Sequence, residues 1–367
     1  MSALACRFCG GGGEVVLDLG VQPGCKTFPE QADPGPDPVH DLRMWLCDGC
    51  GLAQLASDPG GREEVVGLEP AALVEQGRLA VAELAAAGIV GPGRTFVEYG
   101  SPHGGSWVGG LASTGATQAG PGEAADVVVD NLGMMHDADQ AAALRERIAR
   151  VRPGGSLVFG FHSLAAIVDG RQWNDLRHGH FAYYSTPALT GMLESLGFTA
   201  TTAWWFPLYG GTVLLVARAD GVPDDTVREL VEAEDKAGVR DPEAVRVLQR
   251  AADEVTSGVR GFLETERAAG RTVWGYSAAS RAVALLSRAG IGPELLPAIA
   301  DGSPAKQGRR TPGTAIPIAA PAGLVAAAPE SVLLFVDDLL PEVRRALPEV
   351  EAAGGTWRLP DSVAARA

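Results

Sequence analysis

The sequence predicts an α/β protein in three parts: an N-terminal zinc module, a central domain on a parallel sheet, and a second α/β domain at the C-terminal end. Three observations carry that prediction. Two Cys-x2-Cys pairs stand within the first 50 residues, buried strand-like runs alternate with a helical run between residues 95 and 160, and a second strand–turn–helix pattern starts near residue 271. At 367 residues the chain has room for two or three domains. Its 45 acidic and 30 basic side chains leave a net charge of -15. That field repels nucleic acid and anionic membrane surfaces, so neither is an expected partner. With 46% hydrophobic residues and a mean hydropathy of +0.08 the chain is not mainly disordered. No apolar run approaches the roughly 20 residues that cross a bilayer, and the first residues lack a basic-then-apolar leader. The expected setting is cytoplasmic.

The zinc module is expected over residues 1–60. Cys6 and Cys9 form one pair and Cys47 and Cys50 the other, and turn-forming residues lie within or just after each. Two such knuckles let four thiolates converge on one tetrahedral Zn2+ in a closed, structural site. Two disulfides or a pair of redox motifs would use the same spacing, but a reducing compartment disfavours the first and the doubled motif the second. Cys25 is left over and reads as a small apolar residue.

Residues 61–218 are expected to form the central domain and residues 219–367 the C-terminal one. An amphipathic helix over 68–88 ends at Gly88. Thr95-Phe-Val-Glu-Tyr-Gly100 reads as a buried strand entering a glycine turn, followed by strands at 126–130 and 156–160 with a helix over 139–151 between them. Strand, helix, strand in that order argues a parallel sheet. A long helical stretch over 224–270, interrupted near 238–242, leads to a strand at 271–275 and a helix over 279–289. A further strand at 331–336 and a helix over 340–353 complete the second α/β domain.

Two strand-to-helix turns suit a nucleotide. The first, Glu98-Tyr-Gly100-Ser-Pro-His-Gly104, has the acidic-x-Gly-x-x-x-Gly form that lets backbone pass close to S-adenosylmethionine, although an ordinary strand–helix turn has the same form. The second is Gly275-Tyr276-Ser277-Ala-Ala-Ser-Arg281, where a helix start can hold a diphosphate and Arg281 can pair with it. Lys306-Gln-Gly-Arg-Arg310 is a basic cluster in an acidic chain, which suggests a bound anion; a solvated loop is the alternative. The six histidines carry the sharpest chemistry. Arg177-His178-Gly179-His180-Phe-Ala-Tyr183-Tyr184 gathers two imidazoles, a guanidinium and two phenols, a set suited to proton abstraction beside a carbonyl. An aromatic surface loop ranks second and a metal site third.

These residues resemble a known family, the sugar C-methyltransferases that act on nucleotide-linked keto-deoxysugars in antibiotic biosynthesis. The similarity runs through the paired cysteines, Asn131 to Asp139 with His136, His178-x-His180-Phe-Ala-Tyr183-Tyr-Ser185, Gly210-Gly211-Thr212 next to Tyr209, and Lys306 to Pro317. The resemblance implies a Rossmann-like methyltransferase domain in the middle and a Rossmann-like C-terminal domain. It places the substrate, a keto-sugar on a nucleoside diphosphate, between them. It also implies His180 as base, with His178, Arg177, Tyr183 and His136 beside it. Tyr184, Tyr209, Gly275, Tyr276, Ser277, Arg281 and Lys306 become substrate contacts.

The departures lead elsewhere. The family's Tyr-His-Glu-His has become Arg177-His178-Gly179-His180, and Pro102-His103 replaces Asn-Asp in the first turn. Between Gly104 and Asp126 the run holds no evident buried strand and no acid for a ribose, where a complete donor site needs on the order of 40 residues or more. The central domain is therefore expected to be degenerate, with a crossover unit deleted and S-adenosylmethionine doubtful. An enolate formed without a methyl donor takes back a proton. The leading expectation is a donor-independent keto-sugar epimerase or isomerase. The second is an S-adenosylmethionine-dependent C-methyltransferase with a compacted donor site at Glu98, Gly100 and Gly104; the third is a non-catalytic nucleotide-sugar-binding relative.

Overall fold

A computed structural model describes residues 4–25, 28–57, 71–100 and 105–365. Strands β1 (Gly13–Pro23), β2 (Val39–Cys47) and β3 (Ala53–Leu55) form an antiparallel sheet. Helix α1 (Ala71–Ala86) then leads into the central unit. There β4 (Thr95–Tyr99), helix α2 (Val108–Ser113), β5 (Thr117–Gln118), β6 (Ala125–Asn131), helix α3 (Gln140–Ala149) and β7 (Val151–His162) follow one another. Helix α4 (Leu164–Asp169) comes next, and β8 (Ala182–Tyr183) leaves the central sheet to pair with β3. Helix α5 (Thr186–Glu194), β9 (Thr199–Phe206) and β10 (Thr212–Arg218) complete the unit.

The central sheet has the order β5-β4-β6-β7-β10-β9, with β4 to β7 parallel and β10 antiparallel to both its neighbours. Helices α3, α4 and α5 start where the sequence supplies a cap. Asp139 accepts the Ala142 N–H at 2.9 Å to open α3, and Ser163 and Ser185 do the same for α4 and α5. Strands β9 and β10 were not foreseen; they form an antiparallel pair on the sheet's edge.

The run between Gly104 and Asp126 corrects one expectation. It holds α2 and β5, and β5 is paired in parallel with β4 through Thr95 and Thr117. Both β5 residues are exposed, so the apolar signal that marks a buried strand is missing from an edge strand this short. A strand–helix–strand crossover is thus present where the length of the run suggests a deletion.

Beyond β10, helices α6 (Asp225–Lys236), α7 (Pro242–Val245) and α8 (Val247–Ala268) occupy the long helical stretch. Asp224 and Asp241 cap the first two, and Gly238 takes a positive φ of 76° at the break. Then come β11 (Val273–Tyr276), helix α9 (Ser280–Arg288), β12 (Ile299–Ala300), β13 (Ile318–Ala319), β14 (Ser331–Leu334) and β15 (Thr356–Arg358). Their sheet is wholly parallel, in the order β13-β12-β11-β14-β15. The helix expected over 340–353 is two short ones, broken where Pro348 follows Leu347.

Both sheets reverse direction beside their first strand: β4 lies between β5 and β6, and β11 between β12 and β14. Such a switch point leaves a crevice at the carboxyl ends of the strands. The N-terminal sheet ties the two units together. Leu17, Leu19 and Leu42 share one buried cluster with Leu248, Val283 and Leu285, while Trp45, Cys47 and Leu52 pack with the central unit's Phe159, Phe161 and Leu189.

At the central crevice Asp130, 1% exposed, accepts from Arg147 Nε at 2.8 Å and from the Gly133 and Met134 N–H groups at 2.9 Å each. Arg147 also pairs with Asp137 and lies over the Tyr99 ring. Removing one partner from such a pair strands the other charge. Asp130→Ala should lower the unfolding free energy by about 3–5 kcal/mol, read by urea denaturation, and Asp130→Asn by less.

Candidate active site and metal centre

The four paired cysteines meet as their spacing predicts. Their Sγ atoms all lie within 4.8 Å of one another, with Cys6–Cys50 and Cys9–Cys47 at 3.5 Å. Tetrahedral zinc at about 2.3 Å from each sulfur needs S–S spacings of just under 4 Å, so the set fits the ion. Backbone N–H groups of Phe8, Gly11, Gly49 and Cys50 point at the sulfurs, as a thiolate site requires. The Cys6 thiol is pulled down to about 4, chiefly by the hydrogen bond with Cys50 and against the effect of burial. No cysteine of the five is in a disulfide. The centre is a zinc-binding site of four cysteines.

The second cluster lies where the central unit meets α9. Its hub is Asp175, 2% exposed, on the turn Trp173–Asp175. One carboxylate oxygen meets His162 Nδ1 at 2.9 Å and the other Arg281 at 2.6 Å. Burial opposes ionisation here, but the Arg281 charge, the His162 hydrogen bond and the Arg177 charge outweigh it and hold the carboxyl well below the usual carboxylate range. Tyr183 donates its hydroxyl to the Asp175 carbonyl and accepts the Arg177 N–H, both at 3.1 Å. Arg177 reaches Ser280 Oγ at 2.7 Å and donates from Nε to His180 Nδ1 at 3.3 Å. His180 stands edge-on to His136 at 4.6 Å, and His136 donates from Nδ1 to the Gly179 carbonyl at 2.8 Å. Gly179 has a φ of 82°, a conformation that glycine adopts at little cost, and it turns that carbonyl toward His136.

Of the residues expected in this site, His180, Arg177, Tyr183, His136, Tyr209 and Arg281 come together. Tyr209 lies under Arg281 at 5.6 Å and beside the His162 ring at 5.8 Å, with a positive φ of 56°. His178 faces the other way, toward the Asp41 carbonyl on β2 and the His40 ring. Tyr184 is buried under the central sheet with its hydroxyl on Gln140, away from the cluster. Asp175 and His162 were missed: Asp175 is one polar residue in a polar stretch and His162 ends an apolar strand, and only the fold makes them neighbours.

At the C-terminal sheet, Gly275 is required by crowding, since a Cβ there would meet Phe335 at 2.7 Å and Ile299 at 2.8 Å. Tyr276 stacks edge-on with Trp357 at 5.5 Å, and Ser277 takes a φ of 70°. The cluster read as an anion site has other work. Arg310 pairs with both oxygens of Asp37, Arg309 holds the Phe28 carbonyl and Glu30, and Lys306 donates to the Ala278 carbonyl. These cations clamp residues 28–37 onto the C-terminal unit. At the first turn, Glu98 accepts from Ser106 Oγ and the Trp107 N–H and so caps α2. A Cβ on Gly100 would meet nothing within 4 Å, and Gly104 lies outside the described residues. Glu123, the acid beyond β5, accepts the Gly120 N–H.

A family model described as the C-methyltransferase C-terminal domain matches residues 207–360, and a zinc binding domain model matches residues 6–58. The C-terminal part of the chain is thus similar to a C-methyltransferase domain, and its first part to a zinc binding domain. It is 26% identical over 215 residues to the C-methyltransferase NovU of Streptomyces niveus, a match of 58% of this chain and 51% of that protein, so it spans about half of that relative's length. Among solved structures, the N-methyltransferase NodS of Bradyrhizobium japonicum WM9 is 17% identical with a TM-score of 0.30, covering 43% of this chain and 100% of that one. The magnesium protoporphyrin IX methyltransferase of Synechocystis PCC 6803 is 13% identical with a TM-score of 0.29, covering 42% and 89%.

Those family matches overturn the leading expectation of a donor-independent epimerase or isomerase. That expectation followed from a donor domain read as degenerate, and β5 already removes part of its ground. Among the described residues, no helix is long and apolar enough to cross a membrane.

Two outcomes follow from the site's chemistry. One zinc ion per chain should be found by elemental analysis, and chelation should lower Tm and also disturb the active site, because β3 pairs with β8 at Tyr183. Asp337 is the second case. Although the residue is exposed overall, burial of its carboxyl and then the Asp361 charge push it up to about 6 against the pull of Arg281. A raised folded pKa means that ionisation costs the folded state, with the cost absent below about pH 4 and complete above about pH 6. Asp337→Asn should therefore raise Tm more at pH 8 than at pH 4.5.

Proposed function

We propose that the protein is an S-adenosylmethionine-dependent C-methyltransferase whose substrate is a nucleoside-diphosphate-linked keto-sugar, methylated at the carbon beside the ketone. The observation that carries this reading is the meeting of two switch-point units at one polar cluster. The segment after β7 supplies Asp175, Arg177 and His180, and α9, which follows β11, supplies Ser280 and Arg281.

On the central side, the Glu98–Gly100 turn and the Asp130–Met134 turn flank the crevice between β4 and β6. The open space at Gly100, and a Gly133–Met134 turn held rigid by its N–H bonds to Asp130, suit a donor held against backbone. When bound there, S-adenosylmethionine supplies a sulfonium methyl to a carbanion. On the C-terminal side, the crevice between β11 and β14 carries Ser277 and the edge-stacked Tyr276–Trp357 pair, which offers a flat apolar face to a base. The ketone then falls near the histidines, where one group removes the α-proton and an N–H donor steadies the enolate oxygen.

Incubation of the zinc-loaded protein with methyl-labelled S-adenosylmethionine and a nucleotide-linked keto-sugar should add one methyl mass to the sugar, with one C–H lost and a C–C bond visible by NMR. Label on oxygen or nitrogen, or none while the donor is bound, refutes the reading.

A further inference from the structure

His162 lies outside every motif that pointed to this site, yet its ring has the bonding pattern that a proton acceptor needs. It closes β7, and its side chain is about nine-tenths buried. Nδ1 faces the Asp175 carboxylate at 2.9 Å. A carboxylate there takes the ring's proton onto Nδ1 and leaves a lone pair on Nε2. That Nε2 is itself buried and has no hydrogen-bond partner among the described residues. An orphaned buried acceptor costs roughly 1–3 kcal/mol, and this one stands out because a carboxylate backs the ring. Gln172 Oε1, on a side chain whose Nε2 holds the Tyr209 carbonyl, is a second orphaned acceptor in the same corner.

The other two histidines are bonded differently. His180 Nδ1 receives a hydrogen bond from Arg177 Nε, and a guanidinium has no lone pair to accept one back. The ring's own proton therefore sits on Nε2, which makes His180 a donor toward anything on that side. His136 gives its Nδ1 proton to the Gly179 carbonyl and so also carries a lone pair on a buried Nε2, but the group behind it is neutral, with no charge to stabilise an added proton. Of the three, His162 is the one that would gain a proton opposite an anion. The charged and titratable groups around it come from three elements: Asp175 on its turn, Arg281 on α9, and Tyr209 on the turn Leu208–Gly210.

We infer that His162, oriented by Asp175, is the base that removes the substrate's α-proton. This rests on the C-methyltransferase reading and takes from His180 the role of base that the sequence motif assigned to it. In the step, the C–H bond breaks with its proton going to His162 Nε2 and its electron pair into the enolate. The enolate carbon forms a bond to the methyl carbon of the sulfonium donor, and the S–CH3 pair returns to sulfur as a thioether. His162 later passes the proton to water. Asp175 touches no substrate in this scheme; it is a positioning residue.

Two measurements on the full, zinc-loaded chain test this. Nitrogen-15 NMR of the wild-type histidines should find His162 protonated at Nδ1 and bare at Nε2, and His180 protonated at Nε2. The opposite pattern at His162 overturns the proposal whether or not the enzyme is active. In the methyl-transfer assay, His162→Gln should lower kcat by about 10²–10⁴-fold with KM and donor affinity within a few-fold of wild type. It should also abolish donor-free exchange of the substrate's α-hydrogen with D2O, and His162→Gly should regain turnover when imidazole is added. A His162→Gln variant that keeps its zinc and turns over within about threefold of wild type overturns the assignment. A wild-type protein that moves no methyl group overturns the functional reading instead, and the tautomer result then still decides which nitrogen of His162 is bare.

Discussion

The arrangement of this molecule turns on one buried carboxylate. Asp175 sits out of water at the junction of the central unit with α9, and an unpaired charge there costs several kcal/mol. It is paired only because His162 arrives at the end of β7 and Arg281 in the first turn of α9. Docking the C-terminal unit in another orientation removes Arg281 and leaves the carboxylate with His162 alone. Apolar packing alone would tolerate many relative rotations of two α/β units; the two-sided ion pair selects among them, with Arg177 to Ser280 as a second tie across the same seam.

The zinc module then acts as a brace. It places β3 against β8, and β8 carries Tyr183, whose hydroxyl bridges the Asp175 carbonyl and the Arg177 N–H. Four thiolates on one ion fix the two knuckles around β2, and β2 fixes β3. From the opposite side, Arg309 and Arg310 fasten the loop between β1 and β2 onto the C-terminal unit. The metal is thus remote from the reacting atoms and still part of what holds them in register. A basic cluster in an acidic chain looked like a ligand site because sequence shows charge but not partners, and Asp37 and Glu30 lie far away along the chain.

Much of the architecture was readable before any coordinates. The spacing of the four zinc-site cysteines, the buried strands at β4, β6, β7, β11 and β14, and the capped helices each carry a local signal in period or turn chemistry. What escaped was non-local or weak. Strand β5 is two exposed residues at a sheet edge, with neither alternation nor a buried run to mark it. Strands β9 and β10 pair antiparallel beside a parallel sheet, so the strand–helix–strand rhythm passed over them. The same limit produced the wrong functional lead: the length of one connection suggests a domain that has lost its donor, whereas residues 207–360 match a C-methyltransferase domain and the similarity to NovU points the same way.

The histidine roles show why a motif names residues better than it names their tasks. His180 and His136 stand in the expected stretches and do meet, at 4.6 Å. Whether an imidazole accepts or donates at its open nitrogen, however, is decided by what lies on the other one. For His180 that neighbour is Arg177, which stands where the family pattern has tyrosine, and a cation there forces the ring into the donor tautomer. For His162 it is Asp175, reached only after the chain has passed through α4 and turned back. A change of one motif residue from phenol to guanidinium is therefore a change in proton inventory. It withdraws one lone pair from the cluster, and of the lone pairs that remain, on His136 and His162, only the one at the end of β7 is backed by a carboxylate.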